Sequence, residues 1–131
     1  MRGPQAPPGP GVRRRTPPGH RDHADLLLRL RCGADRVPAP NGRTDKEALA
    51  AALGDDAACF YLQQPNYYGN VEDAAAIGEI VHAAGAKFVM GVNPMACAIM
   101  ATPAECGADI AVGEGQPLGL DIAFGGPYLG L

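Results

Sequence analysis

Three short apolar runs constrain this chain more than any other feature. Residues 57–62 (Ala-Ala-Cys-Phe-Tyr-Leu), 87–92 (Lys-Phe-Val-Met-Gly-Val) and 109–113 (Asp-Ile-Ala-Val-Gly) have strand length and no strict polar alternation. Strands buried on both faces read this way. Between the first two lies a helical pattern, in which Ile77, Ile80, Val81 and Ala84 recur at i, i+3, i+4 and i+7 and set one face against a sheet. Asn70 is placed to cap that helix, Glu72 and Asp73 suit its N-terminal dipole, and Gly85 is a natural stop. After the second run come an Asn93-Pro94 exit, a short helix over 95–100 and a loop over 103–107. Strands joined through helices run parallel, because a parallel neighbour needs a crossover connection. The fold class is therefore α/β with a mostly parallel sheet, and ligand-facing loops belong at the strand carboxyl ends.

Upstream, Arg36-Val37 reads as a strand end closed by Pro38 and Pro40, and Asn41-Gly42 as a turn. Thr44-Asp45-Lys46-Glu47 is a capping box, with Thr44 and Glu47 satisfying each other's orphan amides. The helix it opens is expected from about 45 to 53, ending at Gly54.

Charge divides the chain. Residues 1–36 hold eight Arg against three Asp, whereas 37–131 hold three basic residues against eleven acidic ones. Eight of the thirteen prolines fall in the first 40 residues, and 1–19 is a Pro/Gly/Arg segment too poor in apolar surface to offset chain entropy. The expected organisation is a disordered or non-native arm over 1–36 and a domain over 37–131. His23-Ala-Asp-Leu-Leu-Leu-Arg-Leu-Arg31 has the composition of a short helix without a partner segment. The arm lacks interleaved aromatics, so it reads as solvated rather than as a nucleic-acid arm. No run approaches a membrane span, and the start has no apolar signal-peptide core. Cys32, Cys59, Cys97 and Cys106 stand singly, without CxxC or metal-ligand spacing, as reduced thiols of a cytoplasmic protein do. His20 and His23 lie in the arm, and His82 falls on the surface of a helix pattern.

Three strand exits share one edge of such a sheet: 63–69, 91–94 and 113–119. The last opens a glycine-studded stretch that runs to Gly130, where the backbone can approach a ligand or another chain closely. Gly113-Glu114-Gly115 is only a GxG, which a tight turn between strands would equally explain. There is no serine in the chain and no histidine in these exits, so no nucleophile–base pair presents itself. Glu114 is either a solvated loop charge or a polar contact. The candidate binding or interface residues of the exits are Asn66, Tyr68, Asn93, Glu114 and Gln116, and no metal set is expected.

Gln63-Gln-Pro-Asn-Tyr-Tyr-Gly-Asn-Val-Glu-Asp73, Ala76-Ile-Gly-Glu-Ile-Val-His-Ala-Ala-Gly85, Gly91-Val-Asn-Pro94, Gly107-Ala-Asp-Ile-Ala-Val-Gly-Glu-Gly-Gln-Pro-Leu-Gly119 and Phe124-Gly-Gly-Pro-Tyr-Leu-Gly130 follow in order. Together they resemble the P-protein of the glycine cleavage system, in its N-terminal half, which many bacteria make as subunit 1. The resemblance covers about 37–131 and implies the large domain of a type I pyridoxal-phosphate transferase-like fold, a three-layer αβα arrangement. It implies a part in oxidative decarboxylation of glycine, with transfer of aminomethyl to lipoylated H-protein.

The half resembled is the one without the Schiff-base lysine. Counting back from the Gly-Gly-Pro places Gln116 where the catalytic half has its lysine, and Met90 where it has the acid that pairs with the pyridine nitrogen. Chemistry agrees, because an imine needs an amine and an electron sink needs a protonated ring nitrogen. The resemblance thus implies no covalent cofactor and no catalytic residue in this chain, with pyridoxal phosphate held by subunit 2. Residues 1–36 depart from the family pattern, and a full subunit is several times longer. This fits a fragment whose first 36 residues are out of the ancestral frame. Three readings follow: a piece of glycine dehydrogenase (decarboxylating) subunit 1; a non-catalytic structural partner of subunit 2 or an inactive truncated product; and an unrelated flavodoxin-like binding module.

Overall fold

The computed structural model of the chain describes residues 11–14, 33–121 and 129–131. Its strands are β1 (Gly11–Arg14), β2 (Gly33–Arg36), β3 (Ala57–Gln64), β4 (Lys87–Val92) and β5 (Ile110–Gly113), and its helices α1 (Lys46–Ala52) and α2 (Ala74–Ala83). They form one sheet in the order β2-β1-β3-β4-β5. β3, β4 and β5 are parallel, with Phe60 opposite Phe88, Gln64 opposite Val92, and Val89 opposite Ile110. The α/β class and the parallel order are as the alternating pattern requires.

Pleating sends successive side chains to opposite faces. On one face Phe60, Leu62, Phe88 and Met90 are fully buried, and they form one core with Leu49 of α1 and Ala74, Ile77 and Val81 of α2. Gly78 makes this packing possible. A Cβ there would stand 2.9 Å from the Cys106 carbonyl oxygen and 3.1 Å from the Phe88 ring. The opposite face bears Tyr61, Gln63, Val89, Gly91, Ile110 and Val112, of which Gln63, Ile110 and Val112 are exposed. The described residues thus build a helix layer on a sheet, two of the three layers of the expected sandwich.

Several local expectations shift. The cap of α1 is Asp45, whose side chain accepts from the Glu47 and Ala48 amides at 3.0 Å each. Thr44 is instead drawn inward to Glu72, which moves the cap by one residue. α2 is capped by Asp73, through the Ala76 amide, and not by Asn70. Glu72 is buried rather than lying on the helix dipole. The apolar stripe of α2 centres on Ile77 and Val81, with Ile80 and Ala84 at its half-buried margin. The helix expected over 95–100 is a single 3-10 turn, Ala96–Ala98.

Within residues 1–36 the structure describes β1 and β2. β1 runs antiparallel to both β2 and β3, covering backbone groups that the edge of β3 would otherwise leave unpaired. The rest of the arm, including the 23–31 segment and Cys32, lies outside the described residues, as do 122–128.

Candidate functional site

All three parallel strands end at one side of the sheet, and there a cleft of about 310 Å³ is lined by Tyr61, Gln63, Gly91, Val92, Val112, Gly113 and Glu114. Gly91 is what opens it. The Tyr61 hydroxyl lies 2.0 Å from the place a Cβ at residue 91 would take, so any side chain there would displace the ring. Tyr61 and Val112 fall inside runs read from sequence as buried strands, and only the register, which puts them on the uncovered face, makes them cleft residues.

The exit of β3 is a rigid loop organised by Asn66. Its side-chain oxygen accepts from the Tyr68 and Asn70 amides at 3.0 Å, and its side-chain nitrogen donates to the Gly42 carbonyl and, at 3.0 Å, to Glu72. Glu72 is a buried carboxylate held by neutral donors: the Thr44 amide reaches both its oxygens, at 3.2 and 3.1 Å, and the Thr44 hydroxyl adds a bond of 3.1 Å. The Glu72 amide in turn donates to the Gln64 side chain at 3.1 Å. This network pins the loop to the segment before α1. Above it Tyr67 and Tyr68 stand edge to face, centroids 5.5 Å apart, and are 69% and 65% exposed.

At the exit of β4, the Asn93 side-chain oxygen accepts from the Met95 amide at 3.0 Å. At the exit of β5, one Glu114 oxygen accepts from the Gln116 and Leu129 amides, each at 3.1 Å. Glu114 also bridges Gly130 through its backbone, and Gly113 exchanges two hydrogen bonds with Leu131. Glu114 therefore ties the residues that follow β5 to 129–131.

Of the five candidates, Asn66 and Tyr68 share one loop and Glu114 and Gln116 another, while Asn93 stands between them. Only Glu114 lines the cleft. Met90 is fully buried on the α2 side, away from it. The lysines are engaged elsewhere. Lys46 pairs with Asp73, and Lys87 with Asp109 at 2.7 Å at the opposite end of the sheet. The Lys87 ammonium, the Phe88 amide and His82 hold Asp109 far below the usual carboxylate range, and Lys46 likewise lowers Asp73. Burial pushes the Cys106 thiol up, and among the described residues Cys97 and Cys106 are free thiols. Among the described residues no group of His, Cys, Asp and Glu is arranged to hold a metal.

Residues 39–131 match the family model described as "Glycine cleavage system P-protein". Relatives named probable glycine dehydrogenase (decarboxylating) subunit 1 include that of Desulfitobacterium hafniense, 48% identical over 94 residues, covering 72% of this chain and 21% of the relative. That of Chlorobium phaeobacteroides is 52% identical over 91 residues, covering 70% and 20%. A crystal structure of glycine decarboxylase (P-protein) of the glycine cleavage system, in inhibitor-bound form, superposes with a TM-score of 0.66 at 38% identity, over 73% of this chain and 21% of that one. The chain thus spans about a fifth of the length of the proteins it matches. With the parallel sheet, its strand-exit loops and this match in hand, the chain belongs to the glycine cleavage system P-protein family.

Proposed function

We propose that this chain is a portion of glycine dehydrogenase (aminomethyl-transferring, decarboxylating) subunit 1, and that it acts with subunit 2 and lipoylated H-protein on glycine. The match of residues 39–131 to the family carries this reading, supported by relatives named subunit 1 at 48% and 52% identity. The portion is 37–131, preceded by a non-native arm. A cytoplasmic location goes with it, and no described helix is long and apolar enough to cross a membrane.

Pyridoxal phosphate does not fit the cleft. None of the residues lining it is cationic, so a phosphate there would meet Glu114 without a counter-charge. Gln116 offers no amine for an imine, and the Met90 thioether is neither acidic nor at the cleft. The cofactor belongs to subunit 2 in this reading, and no chemical step is assigned to this chain. What its residues do is positional: Asn66 and Glu72 fix one exit loop, and Glu114 fixes another.

The same misfit favours a second reading, in which the chain is a non-catalytic structural partner of subunit 2 or an inactive truncated product. Co-purification with subunit 2, followed by glycine–bicarbonate exchange with pyridoxal phosphate and H-protein, separates the two. Exchange above the level of subunit 2 alone is the result expected for the first reading. Binding without exchange would leave only the structural role, and absence of binding would leave only the inactive truncated product.

A further inference from the structure

Asn41 and Gly42 form a turn that the fold requires and that chemistry can undo. Among the described residues Asn41 is the one non-glycine residue with a positive φ, at 56° with ψ at 25°. Asparagine reaches this left-handed region more readily than most side chains do. Gly42 follows at φ 72°, and a Cβ on it would stand 2.8 Å from the Asn70 side-chain nitrogen and 3.0 Å from the Tyr68 ring. Each position thus selects its residue for a conformational reason. Together they spell Asn-Gly, a pair that occurs once in the chain.

An Asn-Gly pair is prone to succinimide formation, because glycine puts no side chain in the way of its own amide nitrogen. That nitrogen loses its proton and attacks the side-chain carbonyl carbon of the asparagine; a new C–N bond closes the ring as ammonia leaves. Water then opens the ring at either carbonyl. One opening gives aspartate, and the other gives isoaspartate, in which the main chain runs through the former side chain and is one methylene longer. Water is the sole co-reactant, and the Asn41 side chain is exposed to it.

In the folded chain the attacking atom is restrained. The Gly42 amide donates to the Ala39 carbonyl at 3.1 Å. With ψ at 25°, the same nitrogen lies across the Cα–C bond from the Asn41 side chain, whereas ring closure needs the two eclipsed. The Gly42 carbonyl is fixed from the β3 exit loop, accepting from the side-chain nitrogens of Asn66 at 2.6 Å and Asn70 at 3.1 Å. Turn and loop therefore hold each other, and a coupling of this kind acts equally in both directions.

We infer that Asn41 is a site of spontaneous deamidation that the β3 exit loop holds in check, and that conversion of Asn41 to isoaspartate releases that loop. The added methylene shifts the Gly42 carbonyl away from the place where Asn66 and Asn70 meet it. Asn66 is the residue whose side-chain oxygen holds the Tyr68 and Asn70 amides, so the loss propagates to them. The reaction lies within the chain's own backbone and is independent of the activity proposed above.

The test incubates the 131-residue chain in mildly alkaline buffer, folded and unfolded in guanidinium, and follows residue 41 by peptide mapping with fragmentation that separates aspartate from isoaspartate. Conversion is expected in both, at least about tenfold slower in the folded chain, where the turn must first open locally. Asn70→Ala removes one bond to the Gly42 carbonyl and should convert faster than folded wild type. Asn41→Gly keeps the left-handed turn and should not convert. Amide exchange at Tyr68 and Asn70 should be faster in the isolated isoaspartate form than in fresh wild type, and unchanged in Asn41→Gly carried through the same incubation. Equal rates in the folded and unfolded chain, or no conversion in either, would overturn the inference. So would an Asn70→Ala chain that melts like wild type and converts no faster, or an isoaspartate form whose Tyr68 and Asn70 amides exchange as before.

Discussion

Glu72 shows how one side chain can serve a loop rather than the helix it precedes. It is buried and is held by amide and hydroxyl donors alone. Replacing it by Leu strands the Thr44 amide and hydroxyl and one Asn66 bond without acceptors. A loss of about 2–3 kcal/mol is expected, with faster amide exchange at Tyr68 and Asn70. Unchanged exchange at those two amides would show that the loop holds its shape without Glu72. Asp109 and Asp73 make the opposite kind of prediction, because they lie near solvent and are held ionised by Lys87 and Lys46. Their folded pKa values lie below the unfolded value of about 3.9. Their contribution to stability is therefore present above that pH and is lost as pH falls through the folded values. The melting temperature of Asp109→Asn should then fall less steeply with acidification below about pH 4 than that of wild type; parallel curves would remove Asp109 from the acid response.

At the scale of elements, α2 is where packing overrides propensity. Gly78→Ala gains about 1 kcal/mol of helix propensity, but the new methyl meets the Cys106 carbonyl and the Phe88 ring. Overpacking of about 1–3 kcal/mol should outweigh the gain, so a raised melting temperature would show that the helix can move away. Ile77→Asp would bury an unpaired charge at the centre of the stripe and should unfold the domain. Ile80→Asp, at the margin, should cost less; the reverse order in thermal melts would mean the helix is rotated. The strands and this helix were legible because period and length encode them. The caps were less so: Thr44, Asp45, Asn70 and Asp73 are all competent N-caps, and Thr44 is drawn off by Glu72, 28 residues away, while the Asn70 side chain donates to the Gly42 carbonyl. The cleft was legible as a place but not as a set of residues. Strand exits follow from parallel order, whereas the face to which Tyr61 and Gln63 point depends on the register with Gly91.

For the molecule as a whole, incubation with pyridoxal phosphate and borohydride should give no stoichiometric single-site label. Both lysines of 37–131 lie outside the cleft in ion pairs with aspartates. Gln116→Lys alone should not produce decarboxylation, since nothing beside Met90 would keep a pyridine nitrogen protonated. One labelled peptide at full occupancy would contradict the placement of the cofactor in subunit 2. The exit loops have one more consequence, and it is optical. The chain has no tryptophan and four tyrosines, so its native ultraviolet emission is tyrosine emission alone. Tyr61, at the cleft, and Tyr67 and Tyr68, on the exit loop, put three of those four emitters at one end of the sheet. The unlabelled molecule therefore carries its own reporter there, and a docking partner with tryptophans of its own would reveal itself by draining that light through energy transfer.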